Sequence, residues 1–237
     1  MTVEVLRDPE ALARRAADVV LEAAKKARGR FAIALSGGST PRRLHELLAE
    51  TPYRDLMPWD RTHVFWGDER FVPHKDARSN YRMAYETVLS CVPIPAANIH
   101  SIPTEGLAPE DAALAYERTL KSFYGAETLD AERPLFDVTF LGLGEDGHIA
   151  SLFPGTRALK ERERWVVAVT DGPQEPRITL TYPALESSRL VLFLITGAEK
   201  AAIFARVRDG DQSLPATRLR PRGRLLWLVD AAAANRG

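Results

Sequence analysis

Short apolar runs alternate along this chain with longer segments whose apolar residues recur at helical spacing. The spacing predicts helices over residues 8–27 and 40–48, Tyr81–Leu89, Pro109–Tyr124 and Ala198–Val207, and an alanine-rich helix after Val229. The apolar runs predict strands at Phe31–Leu35, Thr62–Trp66, Phe136–Leu141, Trp165–Thr170, Ile178–Thr181, Arg189–Thr196 and Leu225–Val229. Because alternating strands and helices imply crossover connections, we predict an α/β fold with an open, mainly parallel, Rossmann-like sheet and helices on both faces.

Nothing in the pattern divides the chain into parts. The segment Gly210–Gly223, rich in arginine and proline, is the best loop candidate, but it does not resemble an interdomain linker. A length of 237 residues is ordinary for one α/β domain. We therefore expect a single domain over residues 1–237.

Composition removes several function classes. Lys and Arg number 32, as do Asp and Glu, and no basic stripe is present, which argues against nucleic acid as the main partner. The single Cys91 excludes an internal disulfide and a paired-cysteine metal site. Because no signal-peptide pattern or bilayer-length apolar run occurs, we expect a cytoplasmic protein without membrane association. Both a monomer and a homodimer are compatible with the sequence.

The richest chemistry lies after the predicted strand Phe136–Leu141. A glycine-rich turn there presents Glu145, Asp146 and His148 within four residues. Ligands of open α/β sheets bind at the carboxyl ends of strands, and histidine is suited to moving protons near neutral pH. Asp146 is close enough in sequence to orient the imidazole. The alternative is a merely structural histidine, as the other four have no such acidic turn around them.

The same turn also fits a dinucleotide-binding fingerprint. Gly142, Gly144 and Gly147 have the G-x-G-x-x-G spacing, and Asp171 lies beyond the next predicted strand. A nicotinamide-dependent dehydrogenase is therefore a competing class. Two features count against it: the acidic residues of the turn would face a pyrophosphate, and Pro154 interrupts the helix that should follow.

A second glycine-rich turn, Ser36–Thr40, precedes a predicted helix. Backbone N–H groups and the helix dipole at such a point favour an anion, typically phosphate. We therefore take Gly37, Gly38, Ser39 and Thr40 as candidate phosphate-binding residues, with a plain strand-to-helix turn as the alternative. The turn is not a P-loop, because no Gly-Lys-Ser/Thr follows.

Charged residues accompany other predicted strands. Asp68 and Arg70 follow the strand Thr62–Trp66, Arg177 begins a strand, and Lys200 lies in the first turn of a helix. Each has an ordinary alternative as a surface residue or ion pair. If the cations converge on the Ser36–Thr40 turn, they would bind a phosphate dianion. No metal site is expected, since His45-Glu46 starts a zinc helix motif but Ala49 stands where its second histidine belongs.

Taken together, these segments resemble the 6-phosphogluconolactonases, which share a superfamily with glucosamine-6-phosphate deaminases and isomerases. The resemblance spans nearly the whole chain. It is carried by LSGGSTP (Leu35–Pro41), WGDERFVP (Trp66–Pro73), SNYRMA (Ser79–Ala84), LGLGEDGHIASLFPGT (Leu141–Thr156), RITLTYPAL (Arg177–Leu185), GAEK (Gly197–Lys200) and the LPATRLRP…LLWLVD tail.

The resemblance implies hydrolysis of 6-phospho-D-glucono-1,5-lactone to 6-phosphogluconate, a step of the pentose phosphate pathway, without a metal or organic cofactor. The related deaminases typically carry a glutamate five residues after the histidine, where this chain has Phe153. They also tend to have tyrosine in place of Arg70. These differences disfavour a deaminase, which is kept as the alternative.

The resemblance also assigns roles. His148 would be the general acid and base, Asp146 would orient it, and Arg70 would stabilise the oxyanion, together with backbone N–H groups of residues 144–147. Asp68 would contact sugar hydroxyls or Arg70. The phosphate-binding group would comprise Gly37, Gly38, Ser39, Thr40, Arg177 and Lys200.

Overall fold

The computed structural model describes residues 2–172 and 175–235. Its α-helices are α1 (Pro9–Lys26), α2 (Ser39–Leu48), α3 (Tyr53–Leu56), α4 (Asn80–Ala84), α5 (Pro109–Tyr124), α6 (Tyr182–Glu186), α7 (Ala201–Arg208), α8 (Pro215–Arg218) and α9 (Ala231–Ala234). Its strands are β1 (Thr2–Leu6), β2 (Phe31–Leu35), β3 (Thr62–Trp66), β4 (Asp68–Arg70), β5 (Phe136–Leu141), β6 (Val166–Val169), β7 (Arg177–Leu180), β8 (Ser188–Ile195) and β9 (Arg224–Asp230).

Six strands form one parallel sheet in the order β1-β9-β8-β5-β2-β3. Its central strands are apolar and buried on both faces, as expected where helices cover a parallel sheet. Helices α1 and α2 pack against each other and against strands of this sheet. The predicted fold class, a single α/β domain built on a mainly parallel sheet, is confirmed.

The remaining strands form a separate sheet, in the order β4-β7-β6, and both of its pairings are antiparallel. The sequence pattern had placed β6 and β7 in the alternating series without separating them from the parallel sheet. The connection from Val169 to Arg177 is too short for a crossover helix, so the two strands run antiparallel.

Several local predictions need correction. Strand β1 was not predicted, because its exposed edge position gives it too few apolar residues for a recognisable run. The predicted loop Gly210–Gly223 contains the short helix α8. The helix predicted over Tyr81–Leu89 begins at Asn80 and finishes as a π-helical turn over Tyr85–Leu89. Helix α2 begins at Ser39, one residue before the predicted start, and Gly38 is its N-cap.

The strand order explains where a ligand can bind. From β2 the chain passes to β3 at one edge, and it later returns to β5 on the other side of β2. Such a reversal opens a crevice at the carboxyl ends of the two strands. The loops that follow β2 and β5 are the two glycine-rich turns, and they therefore lie side by side. No helix among the described residues has the length and apolar character needed to cross a membrane.

Candidate active site

A cavity of about 350 Å³ lies at the carboxyl ends of β2, β5 and β8. The turns after these strands line it, together with β4 and β7 of the small sheet. All but one of the candidate site residues form its wall, namely Gly37, Gly38, Ser39, Thr40, Asp68, Arg70, His148, Arg177 and Lys200. Asp146 is the exception, and it reaches the cavity through its contact with His148.

One wall of the cavity is the turn after β2, which leads directly into α2. Gly38 has φ +111°, a conformation that L-residues with side chains rarely adopt, and it is followed at once by the first turn of α2. The N–H groups of Ser39 and Thr40 belong to that first turn and lack intrahelical acceptors. A Cβ on Gly37 would lie 1.9 Å from Asn80 Oδ1, so this glycine is required by the close approach of Asn80.

The turn after β5 is organised differently, because Gly144 and Gly147 use their N–H groups within the turn. Gly144 N donates to His148 O at 3.0 Å, and Gly147 N donates to Gly144 O at 3.0 Å. A Cβ on Gly144 would lie 2.0 Å from His148 Nδ1. The imidazole therefore rests directly on a glycine backbone, and Gly144 and Gly147 cannot offer their N–H groups to an oxyanion.

The imidazole of His148 is fixed on two sides. Its Nδ1 lies 2.6 Å from Asp146 Oδ1, which also accepts from the backbone N of His148 at 3.0 Å. The ring of Phe153 packs against it with centroids 4.5 Å apart. Partial burial opposes ionisation of Asp146, but the two hydrogen bonds from His148 outweigh it and lower the pKa of the carboxyl. An ionised Asp146 holds the proton on Nδ1 and leaves Nε2 for chemistry.

The dinucleotide fingerprint does not have its structural context. After Gly147 the chain forms an isolated bridge between Ile149 and Leu152, and its next helical segment is the 3-10 turn Arg157–Lys160. A pyrophosphate site of that kind needs a helix starting at the third glycine. Residues 148–156, all of them described, supply none.

The small sheet contributes two cations that are cross-strand neighbours. Arg70 on β4 lies directly opposite Arg177 on β7, so both side chains leave the same face of the sheet. Burial is the main cause that lowers the pKa of Arg177, the like charge of Arg70 adds to it, and Asp68 opposes it. Glu175 Oε1 lies 3.5 Å from Arg177 Nη2 and offsets part of this charge, and the two guanidinium groups side by side favour a bound anion.

Asp68 is buried and is held by a residue that the sequence analysis did not single out. Ser151 Oγ donates to Asp68 Oδ2 at 2.6 Å, and neither side chain is more than 6% exposed. Ala150, with φ +48°, directs the chain toward this contact. The serine therefore connects the His148 segment to the small sheet.

Glu69, the neighbour of Asp68, does not line the cavity. Its buried carboxylate accepts from the backbone N–H groups of Arg70, Asn80 and Tyr81, each at 2.8 Å. Burial raises the pKa of Glu69 against these bonds. The two neighbouring acids therefore have different surroundings. Asp68 lines the cavity, and Glu69 accepts hydrogen bonds at the start of α4.

Lys200 lies in the 3-10 turn Ala198–Lys200, directly before α7. Its neighbour Glu199 was not among the candidate site residues. Glu199 also lines the cavity, and its carboxylate lies over Gly197, where a Cβ would come within 2.3 Å of Oε1. Thr196, at the end of β8, bonds Thr40 through their hydroxyls at 2.7 Å. The β8 loop and the start of α2 are thus joined at the floor of the cavity.

Four cavity or supporting residues were missed by sequence reasoning: Asn80, Ser151, Thr196 and Glu199. Three of them stand inside segments that carry the family resemblance, but no local pattern shows that they face the site. Within the described ranges, no group of three or more histidine, cysteine or acidic residues could hold a metal ion.

Comparison with known proteins agrees with this geometry. The model of the family described as glucosamine-6-phosphate isomerases/6-phosphogluconolactonase matches residues 7–227. A 6-phosphogluconolactonase from Nostoc is 45% identical, over 98% of this chain and 96% of the relative.

Two solved structures show the same architecture. The 6-phosphogluconolactonase of Thermotoga maritima is 32% identical with a TM-score of 0.82, over 97% of this chain and 99% of that one. The enzyme of Trypanosoma cruzi is 30% identical with a TM-score of 0.86, over 98% and 95%. The predicted resemblance is confirmed, and the chain belongs to the glucosamine-6-phosphate isomerase/6-phosphogluconolactonase family.

Proposed function

We propose that this protein hydrolyses 6-phospho-D-glucono-1,5-lactone to 6-phosphogluconate. The observation that carries the proposal is the His148–Asp146 pair, with its 2.6 Å contact, in the same cavity as an anion-binding helix start and three cations. A proton-transferring group and a phosphate-binding group in one cavity suit a substrate that carries both a reactive carbonyl and a phosphate.

The phosphate would bind at the start of α2. Ser39 and Thr40 offer backbone N–H groups, and Lys200 lines the same cavity. Because this phosphate is remote from the carbonyl, its binding would position the reacting atoms rather than take part in the chemistry.

His148 would activate the attacking water. Nε2 takes a proton as the water oxygen bonds to the lactone carbonyl carbon, whose C=O electrons move onto oxygen. The oxyanion then re-forms the C=O, the bond from carbon to the ring oxygen breaks, and Nε2 returns the proton to that oxygen. The ionised Asp146 stabilises the imidazolium between these two steps.

Arg70 and Arg177 are the candidates for the oxyanion. The N–H groups of Gly144 and Gly147 are already engaged within their turn, so the two guanidinium groups would supply most of the stabilising charge. Arg177, the neighbour of Arg70, would share this role. This placement of Arg177 differs from the sequence-based expectation that it binds the phosphate. Asp68, held by Ser151, would accept from a sugar hydroxyl.

The alternative, a glucosamine-6-phosphate deaminase, is disfavoured by the surroundings of His148. Phe153 occupies the position that corresponds to the glutamate of those enzymes, and its buried ring packs on the imidazole. An apolar ring cannot relay a proton.

The proposal is tested by turnover of 6-phosphogluconolactone, generated in situ and corrected for spontaneous hydrolysis. We expect the wild-type rate to exceed that background and His148→Ala to lower kcat by about 10²- to 10⁴-fold. Glucosamine 6-phosphate serves as the competing substrate, and NADPH fluorescence tests the dehydrogenase class. No turnover above background, or turnover of glucosamine 6-phosphate instead, would refute the proposal.

A further inference from the structure

A second and larger cavity, of about 640 Å³, opens at the amino ends of strands in the parallel sheet. We call it the basal pocket. Ala32, Asp137, Arg189 and Arg224 line it, and each is the first or second residue of its strand. The active-site cavity lies at the other ends of these strands, about 17 Å away along β5 at the usual rise per residue. The basal pocket is therefore a separate site.

The charge of the basal pocket is strongly one-sided. Seven cationic side chains line it, against the two carboxylates of Glu22 and Asp137. Three of the cations are paired: Arg15 with Glu4, Lys26 with Glu22 and Arg189 with Asp137.

The other four cations form no ion pair within residues 2–172 and 175–235. They are Arg28, Arg30, Arg133 and Arg224. The whole chain carries equal numbers of acidic and basic residues, so this accumulation of positive charge is local. An unpaired cluster of arginines around one cavity is stabilised by an anion.

Two of these arginines are held in position by aromatic rings at the end of α5. The guanidinium of Arg30 lies 4.2 Å from the ring centre of Phe123, and its Nη1 donates to Phe123 O at 3.1 Å. The guanidinium of Arg133 lies 4.0 Å from the ring centre of Tyr124, whose hydroxyl donates to Arg133 O. Stacking occupies the face of each guanidinium and leaves donors at its edge.

The floor of the basal pocket is apolar with one acceptor. Val19, Leu135 and Leu190 are each less than 10% exposed. Asp137 accepts from Ala32 N at 2.8 Å and from Arg189 Nε at 3.2 Å, and burial raises the pKa of its carboxyl. A flat heteroaromatic ring could rest on this floor and donate a hydrogen bond from one of its N–H groups to Asp137, while phosphate oxygens face the arginines.

We propose that the basal pocket binds an organic phosphate of the nucleotide class, with its charged groups on Arg30 and Arg133 and its flat ring on the apolar floor. A volume of about 640 Å³ is in the range of small-molecule sites. The site is independent of the proposed lactonase activity, because none of its residues lines the catalytic cavity.

The test is a fluorescence titration with mant-ATP, an ATP analogue with a fluorescent label, in the presence of excess 6-phosphogluconate. The pocket variant is Arg30→Gln/Arg133→Gln. Its matched control is Arg118→Gln/Arg208→Gln, which removes the same charge from exposed arginines outside the pocket. We expect saturable binding to wild type, about 10-fold or more weaker binding to the pocket variant, and less than about 2-fold change in the control. Lactonase turnover should be the same in all three.

Three results would overturn the proposal: no saturable binding, equal weakening in the control, or loss of mant-ATP binding in Lys200→Ala, which would place the probe in the catalytic cavity. Competition by inorganic tripolyphosphate, which has no ring, tests whether the apolar floor contributes to binding. If it competes as strongly as ATP, the apolar floor does not contribute and the nucleotide assignment is wrong. Because these readouts do not use turnover, their failure is distinguishable from failure of the lactonase proposal.

Discussion

The two turns at the carboxyl ends of β2 and β5 are similar in sequence and different in chemistry. Both are rich in glycine, both follow buried strands, and both line one cavity. The β2 turn runs directly into α2 and has no acidic residue. The β5 turn runs into irregular chain, engages the N–H groups of Gly144 and Gly147 internally, and presents Asp146 with His148.

The difference shows that glycine serves two purposes here. At Gly38 the backbone requires a positive φ at the start of a helix, so that N–H groups stay open to an anion. At Gly144 the requirement is space, because the imidazole occupies the position of a side chain. Under the proposed function, one turn would bind the phosphate and the other would hold the proton-transferring group.

The largest effect on this contrast is expected from Asp146→Asn. Asparagine removes the charge that stabilises the imidazolium and fixes its tautomer, so kcat should fall by about 10²- to 10⁴-fold with KM within about 3-fold. Steady-state kinetics measure both constants. Glu145→Gln, at the exposed neighbouring acid, is the control and should keep its kcat. An Asp146→Asn enzyme with wild-type kcat would remove the pair from the mechanism.

Gly144→Ala tests whether the position of the His148 imidazole depends on the space left by this glycine. The new Cβ would lie 2.0 Å from His148 Nδ1, so the ring has to move, and a displacement of about 1 Å can reduce kcat by about 100-fold. Gly142→Ala is the matched control, since a Cβ there meets nothing within 4 Å. Kinetics and thermal melts of both variants separate catalysis from stability. Equal kcat values in the two would show that the imidazole does not depend on the glycine.

A smaller effect is expected from Ser151→Ala, which leaves buried Asp68 without its hydroxyl donor. The lost bond should cost about 1–3 kcal/mol of unfolding free energy and raise KM by about 10-fold, because Asp68 would no longer be oriented toward the sugar. Ser187→Ala, at a buried serine outside the cavity, is the control for a purely structural loss. If both variants lose stability and neither changes KM, Ser151 does not position a substrate contact.

The smallest effect on activity concerns His45 of α2, a histidine that is buried instead of displayed. Burial and then the charge of Arg42 lower the pKa of His45 to about 3. Between about pH 6.5 and pH 3 the unfolded chain binds a proton there that the folded chain does not, so the free energy of unfolding falls as the pH falls.

The substitution His45→Met removes the imidazole that takes up this proton in the unfolded chain. We expect nearly unchanged stability at pH 7.5 and a shallower loss toward pH 5, by up to about 1.4 kcal/mol per pH unit. Chemical denaturation at several pH values measures the slope. Burial also lowers the pKa of the less buried His63, so His63→Gln should change the slope in the same direction but by less. Identical slopes in wild type and His45→Met would contradict a neutral buried His45.

The sequence predicted the parallel sheet because its strands are continuous apolar runs separated by helical periodicity. It did not separate β6 and β7 into another sheet, since a short strand pattern carries no information on its partner. Edge strand β1 was missed for a related reason, because its pairing with β9 compensates for a weak apolar pattern.

Most candidate site residues were found because they stand beside glycines at strand ends, where the chemistry of each is visible locally. Asn80, Ser151 and Thr196 are different, because their roles depend on contacts with residues far away in the chain. Asp68 and Ser151, for example, are separated by 83 residues. Such a contact follows from the fold and not from local spacing, and the basal pocket escaped the sequence analysis for the same reason.

The division of labour between the two turns is tested most directly by one crossed measurement. The kcat for lactone hydrolysis and the Kd for 6-phosphogluconate are determined in parallel for wild type, His148→Ala and Lys200→Ala. We predict that His148→Ala lowers kcat by about 100-fold or more with Kd within about 3-fold, and that Lys200→Ala raises Kd by about 10-fold with kcat nearly unchanged. If both variants change the two constants in the same proportion, the turns do not divide binding from catalysis and the account is wrong.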